Sequence, residues 1–242
     1  PGTPVTGRMI TALRHMGFDC VFDTNFGADL TIVEESREFL RRLTTGERLP
    51  LITSCSPGWI AFLEHFYPEL IPHASTCRSP MTMLSALTKT YYAEQTGIDP
   101  DQIFVVAVMP CTAKKYEARR PEHAAPGGRP YTDAVLTTRE IIWMMKSLGV
   151  NFRDLSEGAF DTPLGMSSGA ADIFGTTGGV MEAALRTACE TLNGRACPRI
   201  DYQLVRGVEG VKEASVRLEG RELRVGVANG LKNARILLDK AL

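Results

Sequence analysis

Apolar and polar positions divide this chain into alternating helical and extended stretches. Met9, Ile10, Leu13 and Met16 recur at helical spacing across residues 6–16, and Gly17 follows where a left-handed residue closes a helix. Residues 18–22 read as a short strand. Beyond Thr24-Asn25-Phe26-Gly27-Ala28-Asp29, Leu30, Val33, Ser36, Phe39, Leu40 and Leu43 mark one side of a long helix, with Glu34, Glu35, Glu38, Arg41 and Arg42 elsewhere on its circumference. Residues 49–52 form a brief apolar run, then the loop Thr53-Ser54-Cys55-Ser56-Pro57-Gly58, then a helix over 59–66 ended by Tyr67-Pro68. Ser79-Pro80 opens another helix through residue 96, because proline is tolerated in a first turn and Met83, Leu84, Leu87 and Tyr91 continue the stripe. Residues 103–108 are an unbroken apolar run, β-branched or aromatic except at Ala107, the signature of a strand buried on both faces.

Residues 119–130 are rich in proline, glycine and charge, which suits an exposed connection between two lobes. The pattern then restarts with a short strand at 134–136, a Thr137/Glu140 capping box and a helix over 141–148. Ile173-Phe174-Gly175-Thr176-Thr177-Gly178-Gly179 leads into a helix over 180–192. Strands follow at 202–205, 214–218 and 223–227, with Glu219-Gly220 as a hairpin turn, and a last helix covers 231–242. No repeat of solenoid length is present. The expected fold is α/β, with lobes at 1–128 and 129–242, each a twisted, mostly parallel sheet flanked by helices, and a site in the cleft between them.

At 242 residues, with 44% hydrophobic and 23% charged positions, a sizeable core is expected. A formal charge of −1 with interspersed signs argues against nucleic acid or an anionic membrane as a main partner. No apolar run approaches the roughly 20 residues that span a bilayer, and no signal peptide precedes the first helix. Cys20, Cys55, Cys77, Cys111, Cys189 and Cys197 are scattered without CxxC spacing, so a reducing, cytoplasmic setting is expected. The chain opens at Pro1 rather than methionine, and its final helical stretch has neither cap nor polar tail, so it reads as a fragment.

Two loops concentrate the chemistry. In open α/β proteins reactive residues gather where strands end and helices begin, and both such turns here present a cysteine beside small residues or proline. Cys111, between Pro110 and Thr112, follows a buried strand. Lys114 at i+3 could lower its thiol pKa or bind an anionic ligand, with Glu117 at i+6, although a solvated Lys–Glu ion pair explains the same spacing. Cys55 sits ahead of the tight Pro57-Gly58 turn and suits proton transfer or metal ligation, while Ser56 suits a helix cap. Glu35, Glu38 and Arg42 share a helical face, which is also how a salt-bridged surface stripe looks. The loop from Gly175 to Gly179 is open to two readings, an anion seat at a helix N-terminus or a close-packing turn. Cys189 reads as packing, and His15, His65, His73 and His123 form no constellation.

Taken together, TSCSPGW, MPCTAKKYE, FGADLTIVEE and IFGTTGGVMEAALR strongly resemble the catalytic domain of [FeFe] hydrogenases, from about Val5 to the end of the chain. That family's motifs read TSCCPxW and MPCxxKxxE, and the second is matched at Met109, Pro110, Cys111, Lys114 and Glu117. The resemblance implies an H-cluster: a [4Fe–4S] cubane joined to a two-iron centre carrying CO, CN and a bridging dithiolate. It implies that Cys111 ligates the cubane and that Lys114 hydrogen-bonds a cyanide. Met109, Pro110, Thr112, Ser79 and Glu117 would contact the cofactor, and the Gly175 and Gly178 loop would line its far side. Cys55 falls at the proton-delivering cysteine, with Glu35, Ser75, Glu38 and Arg42 continuing the route outward.

The chain departs from the family pattern in three places. Ser56 stands where a second cubane cysteine is usual, which leaves three arrangements: ligation through its oxygen, Cys55 taking the ligand role, or a cluster held differently. A third motif, with two further cysteines, is expected after Leu242. Met81 replaces a residue that is often polar in relatives. The implied substrates are protons and dihydrogen, and the implied partners are ferredoxin or NAD(P)-linked electron-transfer subunits and maturation proteins. A sensory hydrogenase and a non-enzymatic cytosolic Fe–S assembly relative are the competing readings.

Overall fold

The structure is a computed structural model that describes residues 3–194, 203–204, 209–218 and 221–241. Cys197 and the Glu219-Gly220 turn lie outside the described residues. The chain forms two compact units, each assembled from two stretches: residues 1–27 with 80–167, and residues 28–79 with 168–242.

In the first unit, α1 (Thr6–His15) buries Ile10, Ala12 and Leu13 against Val21, Ile141 and Met145. Gly17, at φ 92°, closes the helix as its sequence position suggests. The short strand expected at 18–22 is absent. Its Val21 N–H donates instead to the Asp161 carboxylate at 2.7 Å, a side-chain partner that replaces a ladder bond. α4 (Pro80–Leu87) runs through a π turn at Thr88–Tyr92 into α5 (Ala93–Thr96), and Gly97 in the left-handed region ends it.

β1 (Val106–Met109) pairs in parallel with β2 (Ala134–Thr137), in the register Val106↔Ala134 to Met109↔Thr137. The strand begins later than the apolar run, because Val105 N–H donates to the Asp133 carboxylate at 2.7 Å. Phe104 is 72% exposed, so burial on both faces fails at that end. β1 leads to Pro110, Cys111 and α6 (Ala113–Glu117), and β2 leads to α7 (Thr138–Ser147), which opens on the expected capping box. This parallel pair corrects the lobe boundary. It ties residues on both sides of position 128 into one unit, so 119–130 is a connection within a unit, and residues 28–79 group with 168–242.

α2 (Thr24–Thr45) starts in the first unit and carries its remaining length, from Ala28, in the second. There α3 (Pro57–Phe66) packs Leu63 with Tyr67, Leu70 and Leu238. Residues 49–52 make only an isolated parallel bridge, Ile52 to Ala74, rather than a strand. α8 (Gly179–Asn193) precedes β3 (Gln203–Leu204), β4 (Val211–Leu218) and β5 (Arg221–Ala228), and α9 (Leu231–Asp239) is the last described element. The sheet order is β3-β4-β5 and both pairings are antiparallel, against the expectation of mostly parallel sheets. Only two residues separate β4 from β5, too few for the crossover that parallel pairing needs. Among the described residues, no helix is long and apolar enough to cross a membrane.

Candidate active site

Glu35, Glu38 and Arg42 project from α2 into the interior of the second unit. Their exposures of 1%, 6% and 4% exclude a solvated surface stripe. Arg42 donates from Nε and Nη2 to Glu38 Oε1, at 3.1 and 2.6 Å. Its remaining N–H groups reach the carbonyls of Arg48, His73 and Ala74 at 3.0, 3.0 and 2.8 Å, with a longer approach to Pro72. One guanidinium therefore ties the helix to the segment that delivers Ser75. The planar fork of arginine suits this, where a lysine could satisfy far fewer acceptors in plane.

The other Glu38 oxygen, Oε2, accepts from Ser75 Oγ and Thr76 N–H, both at 3.0 Å, with the Cys77 thiol at 3.9 Å. Burial pushes the Glu38 carboxyl upward, but the Arg42 and Thr76 hydrogen bonds, with Ser75, outweigh it and hold the group below its ordinary value. Glu35 is its opposite. Neither of its buried oxygens has a hydrogen-bond partner within normal geometry, and burial raises its carboxyl to about 7. Ser75 and the Ser54 backbone pull the value down, while the Glu38 charge pushes it further up. Two carboxylates one helical turn apart are thus shifted in opposite directions, with the Ser75 hydroxyl interacting with both.

Ser54 immediately precedes Cys55, and its own hydroxyl donates to the Cys77 carbonyl at 3.0 Å, so the cysteine loop is pinned to the segment that holds Ser75. Burial pushes the Cys77 thiol up to about 12, so it stays protonated. Ser56 is exposed at the N-cap of α3 and makes no side-chain cap bond. The capping role open to it in the sequence is not used.

In the first unit, Cys111 and Thr112 are exposed beyond the end of β1. Lys114 Nζ lies 2.6 Å from Glu117 Oε2, with side-chain exposures of 14% and 4%. That burial rules out the solvated ion pair that the spacing allowed. Glu117 Oε1 accepts from Thr82 Oγ1 at 2.7 Å. Met109 is half-buried and packs on Met81, Ala107 and Val135, so part of its side chain serves the core. Met81, at 3% exposure, is itself core, which explains an apolar residue at that position.

Gly178 has φ 87°, and a Cβ there would meet Val227 at 2.8 Å. At Gly179 a Cβ would meet the Ile173 carbonyl oxygen at 1.7 Å. Close packing therefore accounts for these two glycines. Gly175 is exposed, and a Cβ there would meet nothing within 4 Å. Ser79 is buried at 3%. Glu35, Glu38, Arg42, Ser75, Cys55, Ser56, Ser79, Gly175 and Gly178 belong to the second unit, and Met109, Pro110, Cys111, Thr112, Lys114 and Glu117 to the first. Sequence reasoning missed Thr82, Thr76 and Cys77 as partners of the key carboxylates. Their only signal was position, one or two residues beyond Ser75 or in the first turn after Ser79-Pro80.

The whole chain, residues 1–242, matches the family model described as iron only hydrogenase large subunit, C-terminal domain. The chain belongs to that family. It is 52% identical to the NADP-reducing hydrogenase subunit HndD of Solidesulfovibrio fructosivorans, over 98% of this chain and 42% of that protein. It is 48% identical to the periplasmic [Fe] hydrogenase large subunit of Nitratidesulfovibrio vulgaris, over 98% of this chain and 57% of that protein. The apo [FeFe]-hydrogenase HydA1 of Chlamydomonas reinhardtii, variant C377H, superposes with a TM-score of 0.84 at 45% identity, covering 97% of this chain and 66% of that one. A more distant relative, cytosolic iron-sulfur assembly component 3 of Bos taurus, is 32% identical over 97% of this chain. The chain thus spans about half the length of the curated relatives it matches.

The donor chemistry fits a share of an H-cluster. A thiol at the mouth of a strand, Cys111, with a buried ammonium three residues on, is what an iron–sulfur ligand beside an anionic diatomic calls for. An unpartnered buried carboxylate, Glu35, is what a proton acceptor calls for. Ser56 offers a hydroxyl in place of a thiolate. Among the described residues no group of three or more His, Cys, Asp or Glu side chains forms a cage for a lone metal ion.

Proposed function

We propose that the protein containing this chain is an [FeFe] hydrogenase that interconverts protons and electrons with dihydrogen. The observation that carries this reading is the pair of opposed carboxylates: Glu35, unpartnered and raised to about 7, beside Glu38, ionised within a ring of donors. When bound, the H-cluster supplies the iron at which two protons and two electrons become dihydrogen; Cys111 would ligate the cubane and Lys114 would donate to a cyanide. Cys55 holds the innermost exchangeable proton of the chain. Glu35, with its carboxyl raised to about 7, gives up or regains a proton near neutral pH. Ser75 Oγ hands its proton to one carboxylate as it receives one from the other. Glu38 stays anionic between transfers because five donors, counting the weak Cys77 thiol, surround it. Arg42 is a positioning residue, since every N–H it owns points at an acceptor and guanidinium does not lose a proton in proteins.

A cytoplasmic setting, ferredoxin or NAD(P)-linked electron partners and dedicated maturation proteins belong to the same proposal. The NADP-reducing relative supports the NAD(P)-linked partner. An assembly-type protein has no protons to deliver, so the buried relay disfavours that reading, and a sensory role would keep the same site. The test is infrared spectroscopy of the intact protein, expressed with hydrogenase maturation factors, in the CO and CN stretching region. Sharp bands are expected. Their absence from folded, iron-bearing protein overturns the hydrogenase reading in favour of the assembly type.

A further inference from the structure

The Lys114–Glu117 pair is hydrogen-bonded by a third residue from another element. Lysine carries a compact charge on four rotatable bonds, so its ammonium points where its counter-ion points. Here the counter-ion sits three residues along α6, a helix of five residues, too short to hold side chains rigidly by itself. Glu117 would be free to turn about its carboxyl bond if only Oε2 were engaged. Thr82, 35 positions earlier in the sequence, removes that freedom by donating to Oε1 at 2.7 Å. Each carboxylate oxygen thus has its own partner, Thr82 on one and Lys114 at 2.6 Å on the other.

The Thr82 contact is unlike those of its neighbours. Ser85 and Thr88 turn their hydroxyls back onto carbonyls four residues earlier, Met81 at 2.9 Å and Leu84 at 2.8 Å, as helical hydroxyls commonly do. Thr82 lies in the first turn of α4, where no helical carbonyl stands four residues back, and it spends its proton on Glu117. It is 1% exposed and β-branched, so its rotamer is fixed by packing and by its own stiffness.

We propose that Thr82 is a positioning residue for the Lys114 ammonium, acting through Glu117. The role it would serve at the cofactor rests on the hydrogenase reading, but the positioning itself is testable without cofactor. In cluster-free intact protein, acetylation of Lys114 by a soluble acyl donor is followed by peptide mass spectrometry. Lys89 is the internal control, because it is equally buried in the same unit and paired with Asp133 at 2.6 Å. Thr82→Val, nearly the same shape without the hydroxyl, is expected to speed Lys114 labelling about tenfold, the size of one hydrogen bond to a charged group, and to leave Lys89 unchanged. Thr82→Ser is expected to restore protection to within about twofold of the parent.

Unchanged Lys114 labelling in Thr82→Val overturns the proposal. So does equal acceleration at Lys89, which would mean general loosening. In cofactor-loaded protein, the CN stretching bands are expected to move in Thr82→Val and return in Thr82→Ser. Faster Lys114 labelling with unmoved CN bands upholds the positioning role and refutes the assignment of Lys114 to a cyanide.

Discussion

Arg42 grips Glu38 through two N–H groups that converge on one carboxylate oxygen, Nη2 at 2.6 Å and Nε at 3.1 Å. Both residues are buried, so the value of the pair lies in what its removal leaves behind. Arg42→Leu strands an ionised carboxylate and frees three backbone carbonyls. The expected cost is about 3–5 kcal/mol in urea unfolding at pH 7. Glu38 has a lowered carboxyl, so its stabilisation is present above its unfolded value and lost as pH falls through the folded one. The penalty of Arg42→Leu should therefore shrink toward acid pH, and a penalty independent of pH would contradict the clasp.

Glu35 behaves with the opposite sign. Its carboxyl, raised from 4.5 to about 7, keeps a proton in the folded chain across a window where the unfolded chain has lost it. Stability should fall as pH rises from 4.5 to 7 and then level off, leaving a burial cost of about 3 kcal/mol. Glu35→Gln removes that dependence, so its stability relative to the parent should climb through the same window. Parallel stability curves for the two proteins would show that Glu35 does not titrate there.

The same substitution separates relay from scaffold. In the intact, matured protein, Glu35→Gln should lower hydrogen turnover by about two orders of magnitude or more with iron content unchanged. Equal turnover would remove Glu35 from the proton route. Cys55→Ala should behave likewise, because the cysteine is proposed as a proton carrier and not as a ligand.

Ser56 is exposed and its hydroxyl caps nothing, so Ser56→Cys should be nearly neutral for stability. If the position faces the cubane, chemically reconstituted intact protein should hold more iron and sulfide per chain in the variant. Unchanged loading would mean that the cluster is held without this position.

The capping box offers a test of the fold at the end of β2. Thr137 N–H donates to Glu140 Oε2 at 2.7 Å, and Glu140 N–H donates to Thr137 Oγ1 at 3.2 Å. The Lys115 ammonium, with Thr137, holds the Glu140 carboxyl down at about 2. Thr137→Ala should cost about 1 kcal/mol, read as a lower urea midpoint with an unchanged slope.

The helices were largely legible because each carries its own evidence. Gly17 closes the first helix where its position suggests, Pro80 opens another, and Thr137 with Glu140 starts a third, whereas the helix expected from residue 59 begins at Pro57, inside the expected tight turn. The strands were less legible. Residues 18–22 and 49–52 look extended and apolar, yet strand identity depends on a partner, and Val21 finds a carboxylate while Ile52 finds only one bridge. The lobe boundary was misplaced for the same reason. A proline- and glycine-rich connection looks alike whether it joins two units or loops out of one, and only the β1–β2 pairing tells the two apart.

By itself the sequence determined which candidate residues share a loop or a helical face. The spacings of Cys111, Lys114 and Glu117, and of Glu35, Glu38 and Arg42, are local, and a helix turns such spacings into shared faces. Which faces are buried was decided only by tertiary structure. Glu35 and Glu38 are both glutamates on one stripe, and nothing in their order assigns a near-neutral carboxyl to one and an ionised one to the other. That difference comes largely from distant chain: Ser75 and Thr76 close on Glu38, adding to Arg42, while neither Glu35 oxygen has a hydrogen bond of normal geometry. Thr82 makes the same point in the first unit, for a hydroxyl becomes the partner of Glu117 only when folding brings α4 and α6 together. Protonation and aim depend on solvent exclusion and on donors supplied through space, and both exist only in the folded chain.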